Sequence, residues 1–158
     1  MTHEDFAQRI IEMQGALYRV SASILSQECD REDAVQSCIE RAWRKQSTLR
    51  DESRLQAWVT RILINECYAI LRRRKRETPV DSVPDMPAPP GSDPDLYRFF
   101  ADLPAKLRLP MVLFYLEGNN VQEIAAMLRV PAGTVKSRLS RGRNAMRKNE
   151  LFREVQDL

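Results

Sequence analysis

The chain has 158 residues, 43% of them hydrophobic and 30% charged, with a formal net charge of +3; this is the profile of a charge-rich globular protein with room for one domain or two very small ones. Its apolar runs fall short of the roughly 18 residues of a membrane span, and its start, MTHEDFAQ, lacks a basic-then-apolar leader, so a cytoplasmic protein is expected. One histidine, His3, in an end expected to fray, and three cysteines, Cys29, Cys38 and Cys67, in no zinc spacing, argue against a histidine triad, a disulfide framework, a metal site or a cofactor.

Helices are predicted from the N-terminus onward. Phe6, Ile10, Met13, Leu17, Val20 and Ile24 recur at three- and four-residue steps and form one apolar stripe. Asp30 is placed to cap a second helix, with Asp33 in its first turn, where negative charge suits the helix dipole. The apolar face of that helix is Val35, Cys38, Ile39, Ala42 and Trp43. Ser53 and Gln56 have the spacing of a capping box. The helix they open would bury Leu55, Trp58, Val59, Ile62, Leu63 and Ile70, run into Arg72-Arg73-Arg74-Lys75-Arg76, and stop before Thr78-Pro79.

Residues 79–95 hold six of the nine prolines and four Asp with no base. Such a stretch builds no core and is expected to be a flexible, solvated linker. It separates an N-terminal unit, 1–78, from a C-terminal unit, 96–158. Within the second unit, Asp102-Leu103-Pro104 opens a short helix. Pro110 is expected to break or kink it and begin the segment 111–117, which Gly118 closes. Asn120 and Glu123 form a capping box ahead of Val121, Ile124, Ala125 and Leu128, an amphipathic face. After a short break at Arg129-Val130-Pro131, a last long helix sets Val135, Leu139, Gly142 and Met146 inward. The expected fold class is all-α: two small helical domains joined by a Pro/Asp-rich linker.

Charge divides along the same lines. Residues 1–78 carry +2, residues 79–95 carry −4, and residues 96–158 carry +5. Two short amphipathic helices joined by a tight turn describe a helix-turn-helix, whose second helix enters the major groove. Residues 132–148 hold Lys136, Arg138, Arg141, Arg143, Arg147 and Lys148 and no acid. Solvated helices usually mix signs, so an unbalanced run favours a polyanion partner over mere solubility. Thr134, Ser137, Arg138 and Arg141 are expected to point outward, where Arg reads guanine and Ser or Thr reaches bases or phosphates. A helix dipole accounts for one or two of the cations at 72–76, not five. Trp43 and Trp58, in apolar phase, are expected in the core, while Tyr68 is left open between packing and stacking on unpaired bases. The polar loop at 46–54 has the composition to hold a flipped base.

Three stretches resemble a known family, the extracytoplasmic-function group of bacterial sigma factors, over nearly the whole chain. The first is Asp33-Ala34-Val35-Gln36 with Arg41-Ala42-Trp43. The second is Ala57-Trp58 through Arg61, Asn65 and Leu71-Arg72-Arg73. The third comprises Leu103-Pro104-Ala105-Lys106-Leu107-Arg108, Glu117-Gly118, Glu123-Ile124-Ala125 and the run Gly133-Thr134-Val135-Lys136-Ser137-Arg138-Leu139-Ser140-Arg141-Gly142-Arg143. The resemblance implies a factor that binds core RNA polymerase and directs promoter recognition, strand opening and transcription initiation, with no catalytic residues. It implies polymerase binding through Asp33, Gln36, Glu40, Arg41 and Trp43. The −10 element would meet Arg61, Asn65, Arg72, Arg73, Lys75 and Arg76. The −35 element would meet Thr134, Lys136, Ser137, Arg138, Arg141 and Arg143. An anti-sigma factor, often a membrane protein, is the further partner implied. Arg129 stands where the family usually has Gly, at an expected cost of about 1 kcal/mol if the position is left-handed. The alternative reading is a free-standing helix-turn-helix regulator, which would leave the N-terminal unit without a task. A nucleic-acid-processing enzyme using Asp30, Glu32 and Asp33 as metal ligands has less support, because acids clustered at a helix start usually serve the dipole.

Overall fold

The computed structural model describes residues 1–77 and 100–148. The reading of 79–95 as a flexible linker lies outside the described residues. Those described form helices and turns without a strand, as the periodicities predict. Helix α1 (His3–Ala22) starts from a complete capping box: the Thr2 hydroxyl accepts from the Asp5 amide at 3.0 Å, and the Asp5 carboxylate accepts from the Thr2 amide at 3.2 Å. His3 therefore lies in a capped first turn rather than a frayed end, and it packs edge-on against Trp43 at 5.3 Å.

Helix α2 (Glu28–Arg44) begins earlier than expected. Gln27 is its N-cap residue and makes no side-chain cap bond, so Asp30 is not the cap. Asp30 is instead buried in the first turn, where Arg74 forks onto it with one arm at 2.9 Å. Helix α3 (Leu55–Glu77) follows a short 3-10 turn, Glu52–Arg54. The Asp51 carboxylate caps that turn by accepting from the Ser53 amide and hydroxyl, which displaces the expected Ser53–Gln56 box.

Small residues let α2 lie close to its neighbours. Ala34, Cys38 and Ala42, four apart on one face, have no exposed surface. Around them pack Phe6, Ile10, Leu17 and Val20 of α1 with Leu55, Val59, Leu63 and Cys67 of α3. The Cys38 thiol donates to the Val59 carbonyl at 3.4 Å. Burial pushes the Cys38 thiol up to about 12 and the Cys67 thiol up as well, so both stay protonated packing groups.

In the second unit, α4 (Ala105–Met111) runs into a π-type turn, Val112–Leu116. Pro110 sits inside α4 and does not end it. It supplies no backbone donor, and the ladder widens directly afterwards, with the Glu117 amide donating back to Val112 at 3.1 Å. Gly118, at φ 71°, then reverses the chain as expected. Helix α5 (Val121–Leu128) carries the expected Asn120–Glu123 box. It closes on Arg129 at φ 54°, ψ 47°, the left-handed conformation that Gly takes without strain. Helix α6 (Ala132–Arg147) buries Val135, Leu139, Gly142 and Met146. Gly142 is required by a close approach: a Cβ there would lie 2.7 Å from both Cγ and Sδ of Met111.

Arg108 is the largest fully buried side chain among the described residues, 2% exposed. It binds no described carboxylate but donates to the carbonyls of Phe100, Ala101 and Leu103 at 2.9–3.2 Å. One guanidinium thus satisfies three acceptors in the turn before α4. A fourth bond reaches the other unit, from Arg108 to the Ser23 carbonyl at 3.4 Å. The two units also meet where α3 packs on α5.

Candidate nucleic-acid interface

Helix period sorts the side chains that the sequence nominated. On α3, Trp58, Arg61, Asn65, Tyr68, Arg72 and Arg76 recur at steps of three and four, so they line one stripe. Lys75 borders that stripe and Arg73 stands to its side. Asn65, Arg72, Arg73, Lys75 and Arg76 are exposed, and Arg61 is half-buried. Arg74 faces away toward Asp30, and that pair ties the basic end of α3 to the start of α2.

A cavity of about 390 Å³ opens at the head of the stripe, lined by Thr48, Leu49, Arg50, Asp51, Arg54, Ala57, Trp58, Arg61 and Ala126. It combines an indole, three arginines and an apolar floor, and its volume lies in the range of small-ligand sites. Trp58 is only half-buried because one side of it belongs to this cavity; the expectation of a plain core residue was incomplete. Tyr68 keeps more than a third of its surface exposed. What burial its ring has raises the phenol above its ordinary range, while the Arg138 charge, from the other unit, pulls the other way.

On α6, Thr134, Ser137, Arg138 and Arg141 share one side. Ser137 and Arg141 are exposed, and Thr134 and Arg138 are half-buried. Lys136 and Arg143, seven residues apart, come off the opposite edge of the helix. The structure therefore gathers four of the six nominated α6 residues on one side of the helix and leaves two at the opposite edge.

The residues nominated for polymerase binding are distributed over α2. Asp33, Gln36, Glu40, Arg41 and Trp43 are all exposed. Trp43 is 44% exposed, which overturns its assignment to the core. Its ring leans on Phe6 at 6.0 Å and on His3, so it is an aromatic wall beside a groove of about 300 Å³ formed with Ile10, Ile11 and Ile39. Arg41 is anchored by Glu66 of α3 at 2.6 Å. The loop nominated for a flipped base does supply Arg50 and Arg54 to the cavity, whereas neither the Arg41–Glu66 pair nor Ala126 was legible, because each depends on a helix crossing rather than on spacing within one helix. Among the described residues, no group of three or more His, Cys, Asp or Glu has the arrangement to hold a metal ion, and no helix is long and apolar enough to cross a membrane.

Comparison with known proteins adds the following. Residues 10–77 match the family description Sigma-70 region 2, and residues 95–146 match Sigma-70, region 4. The chain is 27% identical over 157 residues to RNA polymerase sigma-E factor of Streptomyces coelicolor, covering 96% of this chain and 89% of that one. It is 30% identical over 137 residues to ECF RNA polymerase sigma-E factor of Escherichia coli K12, covering 74% of this chain and 72% of that one. Among solved structures it is similar to the sigma factor RpoE of Bartonella quintana in complex with the anti-sigma factor NepR. That match has a TM-score of 0.78 and 33% identity, and spans 92% of this chain and 96% of the other.

Proposed function

The chain belongs to the extracytoplasmic-function group of sigma-70 factors, proteins that direct core RNA polymerase to promoters, and on that premise we propose how its residues divide the work. Residues 1–78 form the unit that binds polymerase and the −10 element, 79–95 the tether, and 96–158 the unit that reads the −35 element. The exposed α2 face, with Asp33, Gln36, Glu40, Arg41 and Trp43, grips the core enzyme. Arg41 is held in place for this by Glu66.

Strand opening is driven by binding energy, without a covalent step. A base leaving the duplex loses stacking, and an aromatic surface returns about 1–3 kcal/mol per base. The cavity at Trp58, flanked by Arg50, Arg54 and Arg61, offers such a surface with cations placed for the adjoining phosphates. The stripe of Asn65, Arg72, Lys75 and Arg76 follows the strand, with Arg73 beside it. On α6, Arg138 and Arg141 read base edges with Ser137 and Thr134, while Lys136 and Arg143 hold phosphates. By analogy with its Bartonella relative, captured by NepR, the protein is restrained by an anti-sigma factor. Working with core polymerase, it acts in the cytoplasm.

The observation that carries this reading is the pairing of two separate basic helical faces, the α3 stripe and the acid-free α6, in one chain. Transcription in vitro tests it. Core polymerase with the purified protein, on DNA libraries with mapped starts, is expected to initiate at a new set of sites sharing −10 and −35 elements. An unchanged start-site distribution overturns the proposal.

A further inference from the structure

Among the described residues, Arg129 is the one non-glycine residue with a positive φ. An L-residue in that conformation crowds its Cβ against the following carbonyl, a cost that Gly escapes. The turn needs the conformation. The amides of Arg129 and Val130 both close back on the Ala125 carbonyl, the second at 3.1 Å, and Pro131 then resumes extended backbone ahead of α6. The turn does not need the side chain. Arg129 is exposed, whereas Val130 beside it packs against the core. No described residue pairs with or hydrogen-bonds the Arg129 guanidinium. From Gly118 to Lys148 the sole acid is Glu123, and its carboxylate is engaged by the Asn120 amide at 3.0 Å. The turn therefore carries a backbone cost with no return inside the described fold, and strain of that kind points to a task outside it.

Position says what the task is. In a helix-turn-helix the first helix crosses the DNA backbone and the second enters the major groove by its N-terminal residues. The turn between α5 and α6 passes from one to the other, beside the groove wall where phosphates stand. Residues 129–133 read Arg-Val-Pro-Ala-Gly, so Arg129 is the charged side chain of that turn. Its guanidinium offers a planar fork that matches two oxygens of one phosphate. The cations that follow, Lys136, Arg138, Arg141 and Arg143, have no acid among them, and this favours a polyanion over an acidic protein surface. Arg129 lies outside α6, ahead of Thr134 and Lys136, so its contact is separate from those assigned to that helix.

Given the −35 reading above, we propose that Arg129 grips a DNA phosphate at the edge of the −35 groove. It is a positioning contact, which sets the register of α6 without reading a base.

Full-length protein joined to core polymerase tests this on a −35-dependent promoter. Arg129→Gly should weaken DNA binding about fivefold at roughly 0.15 M salt and lower the salt slope by about 0.9, the share of one phosphate. The loss should be equal across variant −35 sequences. The same substitution should raise the melting temperature of the free protein by about 4 °C. Stability and affinity thus move in opposite directions, which a structural role for the side chain would not produce. Arg129→Lys keeps both charge and strain and should bind within about twofold of wild type. Neutral methylphosphonates placed one at a time along the −35 element locate the contact. At one position the replacement should cost the wild type about fivefold and cost Arg129→Gly nothing further. An Arg129→Gly variant that binds DNA with wild-type affinity and slope overturns the proposal. So does a loss confined to one −35 sequence, or one already present in binding to core polymerase without DNA. A wild type that gives core polymerase no −35 preference defeats the −35 reading itself, and the proposal with it.

Discussion

Among the described residues, helices α3 and α6 carry the most basic side chains, and they handle their charge in opposite ways. On α3, Arg74 is tied back to Asp30, and Glu66 of the same helix holds Arg41 of α2. The helix fills the N-terminal core with Leu55, Val59, Leu63 and Cys67 while presenting Trp58, Arg61 and Asn65 outward. Helix α6 contains no acid and gives only Val135, Leu139, Gly142 and Met146 to its core. In the proposed division of work, the first is a structural beam that also carries a stacking surface, and the second is a reading head held on a small base. Damage to packing should therefore be felt most in the N-terminal unit, and damage to charge most on α6.

The largest effect expected is on the beam. Phe6→Ala removes a ring that is 1% exposed and supports Trp43, and should cost about 3–5 kcal/mol of stability. Urea unfolding followed by tryptophan fluorescence measures it, since Trp43 and Trp58 both lie in that unit. A loss below 1 kcal/mol would mean that this core is not the tight one described.

Next comes the reading head. Arg138→Ala or Arg141→Ala should each cost about 1–3 kcal/mol at a −35-dependent promoter and relax sequence choice there. Lys136→Ala, on the flank, should weaken binding evenly across sequences and reduce the salt slope by about one. Equal selectivity losses for Arg141 and Lys136 would erase the distinction between face and flank.

The smallest effect sharpens the comparison by adding stability. Arg129→Gly relieves a left-handed side chain at the end of α5 and should gain about 1 kcal/mol. A thermal melt of the C-terminal helices reads it; a destabilised variant would show that the Arg129 side chain has a compensating role.

The Asn120–Glu123 box, the turn at Gly118 and the inner face of α6 were legible because each depends on residues within a turn or two of helix. Asp30 misled for the same reason. Its type and position fit a cap, and only Arg74, 44 residues away, reassigns it. Trp43 misled because periodicity fixes the side of a helix but not how far the neighbouring helix extends over it.

By itself, then, the sequence determined the all-helical class, the division into two units and the two basic faces, since propensity, capping and period are local. Tertiary structure decided which charges are free and which are held, as with Arg74, Arg41 and Glu117, and which aromatic side chains face outward. It also set Ala126 against the Trp58 cavity and Arg19 against Glu117, 98 positions away. Such contacts follow from how helices cross, and a crossing leaves no periodic mark in either strand of sequence that makes it.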